Sequence, residues 1–287
     1  MGCGPAGIAC AIQLKRLGLE PLVIEKNQPG GILVNANLVE NYPGFPGGIS
    51  GPELANRFVT QANSFNILIQ QDEIQLANIS NDIISLKSKK GFYQCNILVI
   101  ATGTSPVIPE NCPENMVEEG LVHFDITRLR LSKEKTIGII GAGDAAFDYS
   151  LSLAENDNNV MIFNRGNRTK ALKVLREKVF INNKIKYLEN TVLKYVEIKP
   201  GKGLQAIFSS ASGISKYSLD YLIFATGRLP GTGFFRESLK GELSGLVKEH
   251  RLYFIGDVIN GNCRQVSIAV GDGVKAAMEI FRNESNQ

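Results

Sequence analysis

Gly2-Cys3-Gly4-Pro5-Ala6-Gly7 opens the chain, and Leu22-Val23-Ile24-Glu25 closes the unit it begins. Between them Ile8, Ala11, Ile12, Leu14 and Leu17 recur at helical spacing until Gly18 ends the helix. A glycine turn, a helix and an apolar strand ending in an acid, in that order, form a phosphate-binding unit. Gly2 permits the tight turn, and Gly4 lets a pyrophosphate approach the backbone. Gly7 lets the helix pack close to the strand. Pro5 and Ala6 start that helix, whose positive end faces the phosphates. Glu25, followed by Lys26, stands where a carboxylate accepts hydrogen bonds from ribose hydroxyls. The glycine pattern alone is weak; with helix, strand and acid in register it is strong.

The unit recurs further along. A strand from Thr136 to Ile140 runs into Gly141-Ala142-Gly143-Asp144-Ala145-Ala146, with Ala146 in the third-glycine slot. A helical stretch from Asp144 to Glu155 and an apolar strand from Val160 to Phe163 follow. No carboxylate ends this strand. Asn164, Arg165, Arg168 and Lys170 cluster there instead, and cations beside the ribose favour a 2′-phosphate, hence NADPH over NADH. Each unit is followed by a strand ending in Ala-Thr-Gly: Ala101-Thr102-Gly103 and Ala225-Thr226-Gly227. Leu22–Ile24, Ile97–Ile100, Thr136–Ile140, Val160–Phe163, Tyr221–Phe224 and Leu252–Ile255 all read as buried parallel strands.

Strands alternating with helices predict an α/β fold of two Rossmann-like domains, the second inserted in the first. The expected division is 1–111 with 229–287, and 112–228 between. Pro106, Pro109 and Pro113 mark the irregular connection from Ser105 to Glu119. One element is missing from this plan. The first glycine turn begins at Gly2, so the central strand that should precede it is not in the chain. The expectation is that an apolar strand precedes Met1 in the natural protein.

Composition excludes other classes. The 287 residues carry a net charge of only +3 and no Trp, which argues against a nucleic-acid platform. No apolar run reaches the length of a membrane span. Five cysteines without close spacing and two histidines fit neither a disulfide framework nor a metal site. A reducing cytoplasm is the expected compartment.

Other segments carry a resemblance. Gly30-Gly31-Ile32 followed by Glu40-Asn41-Tyr42-Pro43-Gly44, then Ile255-Gly256-Asp257, then Arg264-Gln265-Val266 leading to Ala269, Gly271 and Gly273, resemble in order the low-molecular-weight thioredoxin reductases. The resemblance covers essentially the whole chain. It implies FAD in the first domain, NADPH in the second, and a homodimer. Gly31, Ile32, Asn41, Thr102, Gly103, Gly256, Asp257, Arg264, Gln265 and Val266 would join the first turn around FAD. Gly141, Gly143, Asp144, Ala145, Arg165, Arg168 and Lys170 would meet the nicotinamide dinucleotide.

The family's Cys-x-x-Cys falls on Phe124-Asp125-Ile126-Thr127, and neither position is a cysteine; Arg128 stands where the family has an acid. Without a thiolate there, the usual relay to thioredoxin is chemically excluded. Val122-His123-Phe124 and Gly143 to Asp148 resemble the ferredoxin/flavodoxin–NADP reductases of the same type, which also lack the pair. The expected activity is hydride transfer from NADPH to flavin and on to an unidentified acceptor, ferredoxin, flavodoxin or a small oxidant. The alternatives are a disulfide reductase using a partner's thiols, and a non-catalytic flavin sensor or assembly subunit. His123, Asp125 and Cys263 lie where a proton or redox role is conceivable; none is assigned as catalytic, because the flavin carries the chemistry.

Overall fold

The computed structural model describes residues 1–80, 83–110, 112–199, 203–236 and 240–285. The chain divides into two compact units, one of residues 1–34, 40–105 and 229–287, the other of residues 35–39 and 106–228. Residue 111, where the division was expected, lies outside the described residues. At the crossing, short strands Thr104–Pro106 and Arg228–Pro230 pair with each other. Residues 35–39 group with the second unit for a hydrogen-bonding reason. Asn35 Oδ1 accepts from the Thr127 hydroxyl at 2.9 Å, and the Asn37 backbone N–H donates to Asp148 at 2.9 Å.

The second unit is built on a five-stranded parallel sheet in the order Val122–His123, Tyr221–Phe224, Thr136–Ile140, Asn159–Phe163, Ile185–Leu188. Ile137, Ile139, Ile162 and Ile223 are fully buried in it, as strands covered on both faces require. Helix Asp144–Ala154 covers one face through Ala146, Phe147 and Leu153. A three-stranded antiparallel sheet, Val192–Ile198, Leu204–Ser210 and Gly213–Leu219, covers the other, with Phe208 stacked on Phe163 at 3.9 Å. From the central strand Thr136–Ile140 the chain runs outward through Asn159–Phe163 and Ile185–Leu188, then returns to Tyr221–Phe224 on the other side. The carboxyl end of Thr136–Ile140 is therefore a topological switch point, where open α/β sheets bind ligands.

The first unit repeats this plan with a different centre. Strand Leu22–Glu25 pairs in parallel with Leu68–Gln71, and Leu98–Ile100 with Leu252–Phe254. Met1 and Gly2 lie between the two pairs: Gly2 N–H donates to Ile24 O and Ala101 N–H to Met1 O, both at 2.8 Å. In the second unit Gly141 N–H donates to Phe163 O and Ala225 N–H to Ile140 O in the same way. Met1 thus makes the bonds that Ile140 makes at the end of a full strand. Helices Pro5–Arg16 and Val266–Ser285 pack together on one side through Ala6, Cys10, Ala269, Ala276 and Ala277. A second antiparallel sheet, Ile74–Ser80, Ile83–Ser88 and Phe92–Cys95, lies on the other.

All six expected parallel strands are present. Both antiparallel sheets went unread in the sequence, and the connection expected to be irregular contains a helix, Glu114–Glu118. The hairpin sheet of the first unit buries mainly one face. Strand Ile83–Ser88 shows it: Ile84, Leu86 and Ser88 are buried while Ile83 and Lys87 are exposed. Half-apolar alternation is a weaker sequence signal than a continuous apolar run.

One half-buried carboxyl in the second unit makes stability depend on pH. Burial raises the Asp148 carboxyl from 3.8 to about 6, opposed by the Asn37 N–H and reinforced by Glu155. An acid whose folded pKa is raised favours folding below its unfolded pKa, and that contribution is lost as pH rises through 6. Asp148→Asn keeps an oxygen for Asn37 and removes the charge. It should raise the denaturation midpoint at pH 7.5, by roughly 1–3 kcal/mol of stability. The advantage should vanish near pH 4. An equal effect at both pH values in thermal melts would refute this account.

Candidate functional site

The first glycine turn is shaped by close backbone approach. Gly2 has φ +96°, and a Cβ there would lie 2.3 Å from the Ala101 carbonyl oxygen. A Cβ on Gly7 would lie 2.0 Å from the Gly2 carbonyl oxygen. Gly4 is different: its nearest neighbour is the Gly31 Cα, 3.8 Å from an added Cβ. It forms the N-cap of helix Pro5–Arg16 without a side-chain cap. The first-turn N–H groups of that helix are left for an anion.

Around this turn the structure gathers most of the expected residues. Glu25 is buried; its Oε2 accepts from Cys3 N–H at 2.7 Å and its Oε1 from Asn27 N–H at 2.9 Å. Gly30 N–H donates to Cys3 O, which brings Gly31 against Gly4. Ile32 follows, exposed, in the short helical turn Gly31–Asn35. Gly256, at φ +73°, abuts Ala6, 2.8 Å from an added Cβ to the Ala6 Cβ. Asp257 lies in the turn Gly256–Val258. Asn41 Nδ2 donates to Gln265 Oε1 at 2.7 Å, just before helix Val266–Ser285, with Arg264 preceding. Thr102 sits beside Gly2, its hydroxyl on Gly231 O at 2.7 Å, and Gly103 takes φ +62°. Lys26 stands apart: it is exposed and its charge acts on Glu73.

Asp272 was missed. Its Oδ2 accepts from Gly256 N–H at 3.0 Å and from Asn260 Nδ2 at 2.6 Å, fixing the Gly256–Asp257 turn from the final helix. The available signal was an acid between Gly271 and Gly273 on a largely apolar helix face.

The second turn repeats the first. Gly141 has φ +128°, and a Cβ would lie 2.3 Å from the Ala225 carbonyl oxygen. The recurring Ala-Thr-Gly thereby acquires a physical reason, because in each unit its Ala carbonyl backs the first glycine. Gly143 caps helix Asp144–Ala154 with no side-chain bond and open space at its Cβ position. Asp144 Oδ1 accepts from Leu172 N–H at 2.7 Å, and Ala145 is exposed. The loop carrying Arg165, Arg168 and Lys170 is tied to this turn: the Thr169 hydroxyl and Lys170 N–H donate to Ala142 O at 2.6 and 3.2 Å. All three cations are exposed. Two uncapped helix N-termini behind glycine turns fit two pyrophosphates.

The residues in the cysteine slot have other work. Phe124 stacks with Phe224, Asp125 Oδ1 accepts from Thr127 N–H at 2.8 Å, and the Thr127 hydroxyl holds Asn35. His123 is buried edge-on to Tyr221, and burial lowers its pKa. Burial pushes the thiols of Cys3 and Cys10 up to about 12, and raises those of Cys95 and Cys112. Such thiols resist ionisation and make poor nucleophiles. Cys263 is exposed. No helix among the described residues is long and apolar enough to cross a membrane.

Comparison with known proteins agrees with this geometry. Residues 1–273 match the family model for pyridine nucleotide-disulphide oxidoreductases. The thioredoxin reductase of Chlamydia pneumoniae is 29% identical over 98% of this chain and 96% of its own length. That of Bacillus subtilis is 27% identical over 98% and 92%. Among solved structures, Lactococcus lactis thioredoxin reductase has the same fold, with a TM-score of 0.86 at 22% identity, covering 100% of this chain and 98% of its own. T. acidophilum thioredoxin reductase follows with a TM-score of 0.83 at 24% identity over 99% and 97%. The chain belongs to the pyridine nucleotide-disulphide oxidoreductases, as a flavoprotein enzyme of the thioredoxin reductase-like class.

Proposed function

We propose that this enzyme uses NADPH to reduce a disulfide on a partner that supplies the thiols this chain lacks. The observation that carries the proposal is a pair of glycine turns, each enforced by a backbone clash, in a chain with no Cys-x-x-Cys. When bound, FAD supplies a two-electron store that takes hydride from NADPH and releases it to an acceptor. The chain's own residues hold and orient. Gly2, Gly4, Gly7, Glu25, Gly31 and Gly256 would shape the FAD site, with Asn41 and Gln265 beside it. Gly141 and Gly143 would receive the NADPH pyrophosphate, and Arg165, Arg168 and Lys170 its 2′-phosphate. The overall reaction consumes NADPH, a proton and a disulfide and yields NADP⁺ and two thiols. On this reading residues 106–228 are an NADPH-binding domain inserted in the FAD domain, and the enzyme is a cytoplasmic homodimer.

Ferredoxin or flavodoxin, the acceptor expected first from the sequence, becomes the second reading. It is favoured by the Phe124 and Thr127 positions, where a one-electron reductase needs no thiol. The thioredoxin reductases among the curated relatives support the disulfide instead. Stopped-flow absorbance separates the two. NADPH should bleach the flavin within seconds, and an oxidised dithiol protein should restore its colour faster than ferredoxin, flavodoxin or benzoquinone. Cys263→Ser should leave that rate unchanged. Recovery with ferredoxin or flavodoxin alone would select the second reading, and a flavin that NADPH does not bleach would sink both.

A further inference from the structure

The strands that follow the two glycine turns end on residues with opposite chemistry. Strand Leu22–Glu25 ends on an acid whose carboxylate binds an N–H of its own turn. Strand Asn159–Phe163 is followed, at the matching position, by Asn164. Asn164 is 7% exposed, and its side chain is bonded to its own loop and to the neighbouring strand Ile185–Leu188. Its Nδ2 donates to the Arg168 carbonyl at 3.0 Å and to the Tyr187 hydroxyl at 2.7 Å. Its Oδ1 accepts from Gly166 N–H at 3.2 Å. The backbone is held as well, since Asn164 N–H donates to Leu188 O and Thr191 N–H to Asn164 O, both at 2.8 Å.

A side chain bonded inward in this way is turned toward its surroundings in the protein and carries no charge to offer a ribose. It acts on the loop instead. Clamping Arg168 from one side, while Thr169 and Lys170 clasp Ala142 from the other, fixes residues 165–170 against the glycine turn. The cations then project from a pre-set loop rather than a floppy one, and pre-setting is what turns charge into selectivity.

We infer that Asn164 is a positioning residue for nucleotide specificity: its inward amide clamp holds Arg165, Arg168 and Lys170 to receive a 2′-phosphate. The inference rests on the NADPH reading proposed above. It predicts that a carboxylate at this position is unfavourable. In Asn164→Asp the Arg168 carbonyl would face a second acceptor, so the clamp would be lost and a negative charge would be set beside the phosphate site.

Calorimetry with 2′,5′-ADP and 5′-AMP tests it without turnover, beside steady-state kinetics with NADPH and NADH. Asn164→Ala should weaken 2′,5′-ADP roughly 10- to 100-fold, the scale of a misplaced binding group, and 5′-AMP much less. The loss should appear in KM for NADPH and not in kcat, with FAD content unchanged. Asn164→Asp should lose more, and Arg165→Glu sets the scale for losing a cation outright. Should Asn164→Ala fold poorly, Thr169→Val, which loses the hydroxyl's bonds to Ala142 O and from Ala171 N–H, should show the same selective loss. An Asn164→Ala protein that keeps its preference for 2′,5′-ADP overturns the inference alone. A wild-type protein that binds 2′,5′-ADP no better than 5′-AMP overturns the NADPH reading and the inference with it.

Discussion

Gly7→Val should yield colourless protein. A Cβ at residue 7 would lie 2.0 Å from the Gly2 carbonyl oxygen and 3.3 Å from the Ala101 Cβ. The closest obstacle is backbone, so no rotamer change relieves it. The helix would have to move off the turn, and the N–H groups that should meet the FAD pyrophosphate would move with it. Overpacking of this kind costs roughly 3 kcal/mol or more, which lowers FAD affinity by about 100-fold or more. The second unit offers the internal comparison, because Ala146 occupies the equivalent slot there and is fully buried with its methyl group. Ala146→Gly should keep its flavin. The ratio of 450 nm to 280 nm absorbance after purification is the measurement, and a yellow Gly7→Val protein with wild-type FAD content would contradict the assignment.

Gly141→Val should give the complementary defect: a yellow protein that NADPH no longer bleaches. Residue 141 combines two obstacles, a φ of +128° that β-branched residues do not adopt and a Cβ position 2.3 Å from the Ala225 oxygen. Strain and overpacking together cost roughly 2–6 kcal/mol. The damage falls in the unit of residues 106–228, which has its own sheet and core. FAD content should therefore persist while the rate of flavin reduction at fixed NADPH falls by about 30-fold or more. Stopped-flow traces decide it. Bleaching at the wild-type rate would mean that the nucleotide does not use this turn.

Much of the architecture was legible because parallel strands buried on both faces leave continuous apolar runs, as in Thr136–Ile140 and Tyr221–Phe224. The two glycine turns were legible because each glycine has a fixed steric duty. What escaped notice was whatever depends on partners distant in sequence. Asp272 reads as a surface acid until Gly256 and Asn260 fold back onto it. Asn164 reads as part of a basic cluster until Tyr187 and Arg168 occupy its amide. Asp125, weighed as an acid, caps its own turn at Thr127. Such roles come from tertiary contact, of which a linear pattern carries only a faint trace.

The seam between the first and last helices sets an order of events at the ribosome. A Cβ on Gly273 would lie 2.3 Å from the Ala6 carbonyl oxygen, so these two backbones touch across about 270 positions of chain. Residues 106–228 can complete their sheet as soon as they emerge. The face of helix Pro5–Arg16 that carries Ala6 and Cys10 has no cover until the final helix is made, on the order of tens of seconds later at ordinary elongation rates. During that wait Ala6 and Cys10 present an uncovered apolar stripe to chaperones, proteases and other nascent chains. Completion of the first unit is thereby deferred to the end of synthesis, when residues 106–228 have long since left the ribosome.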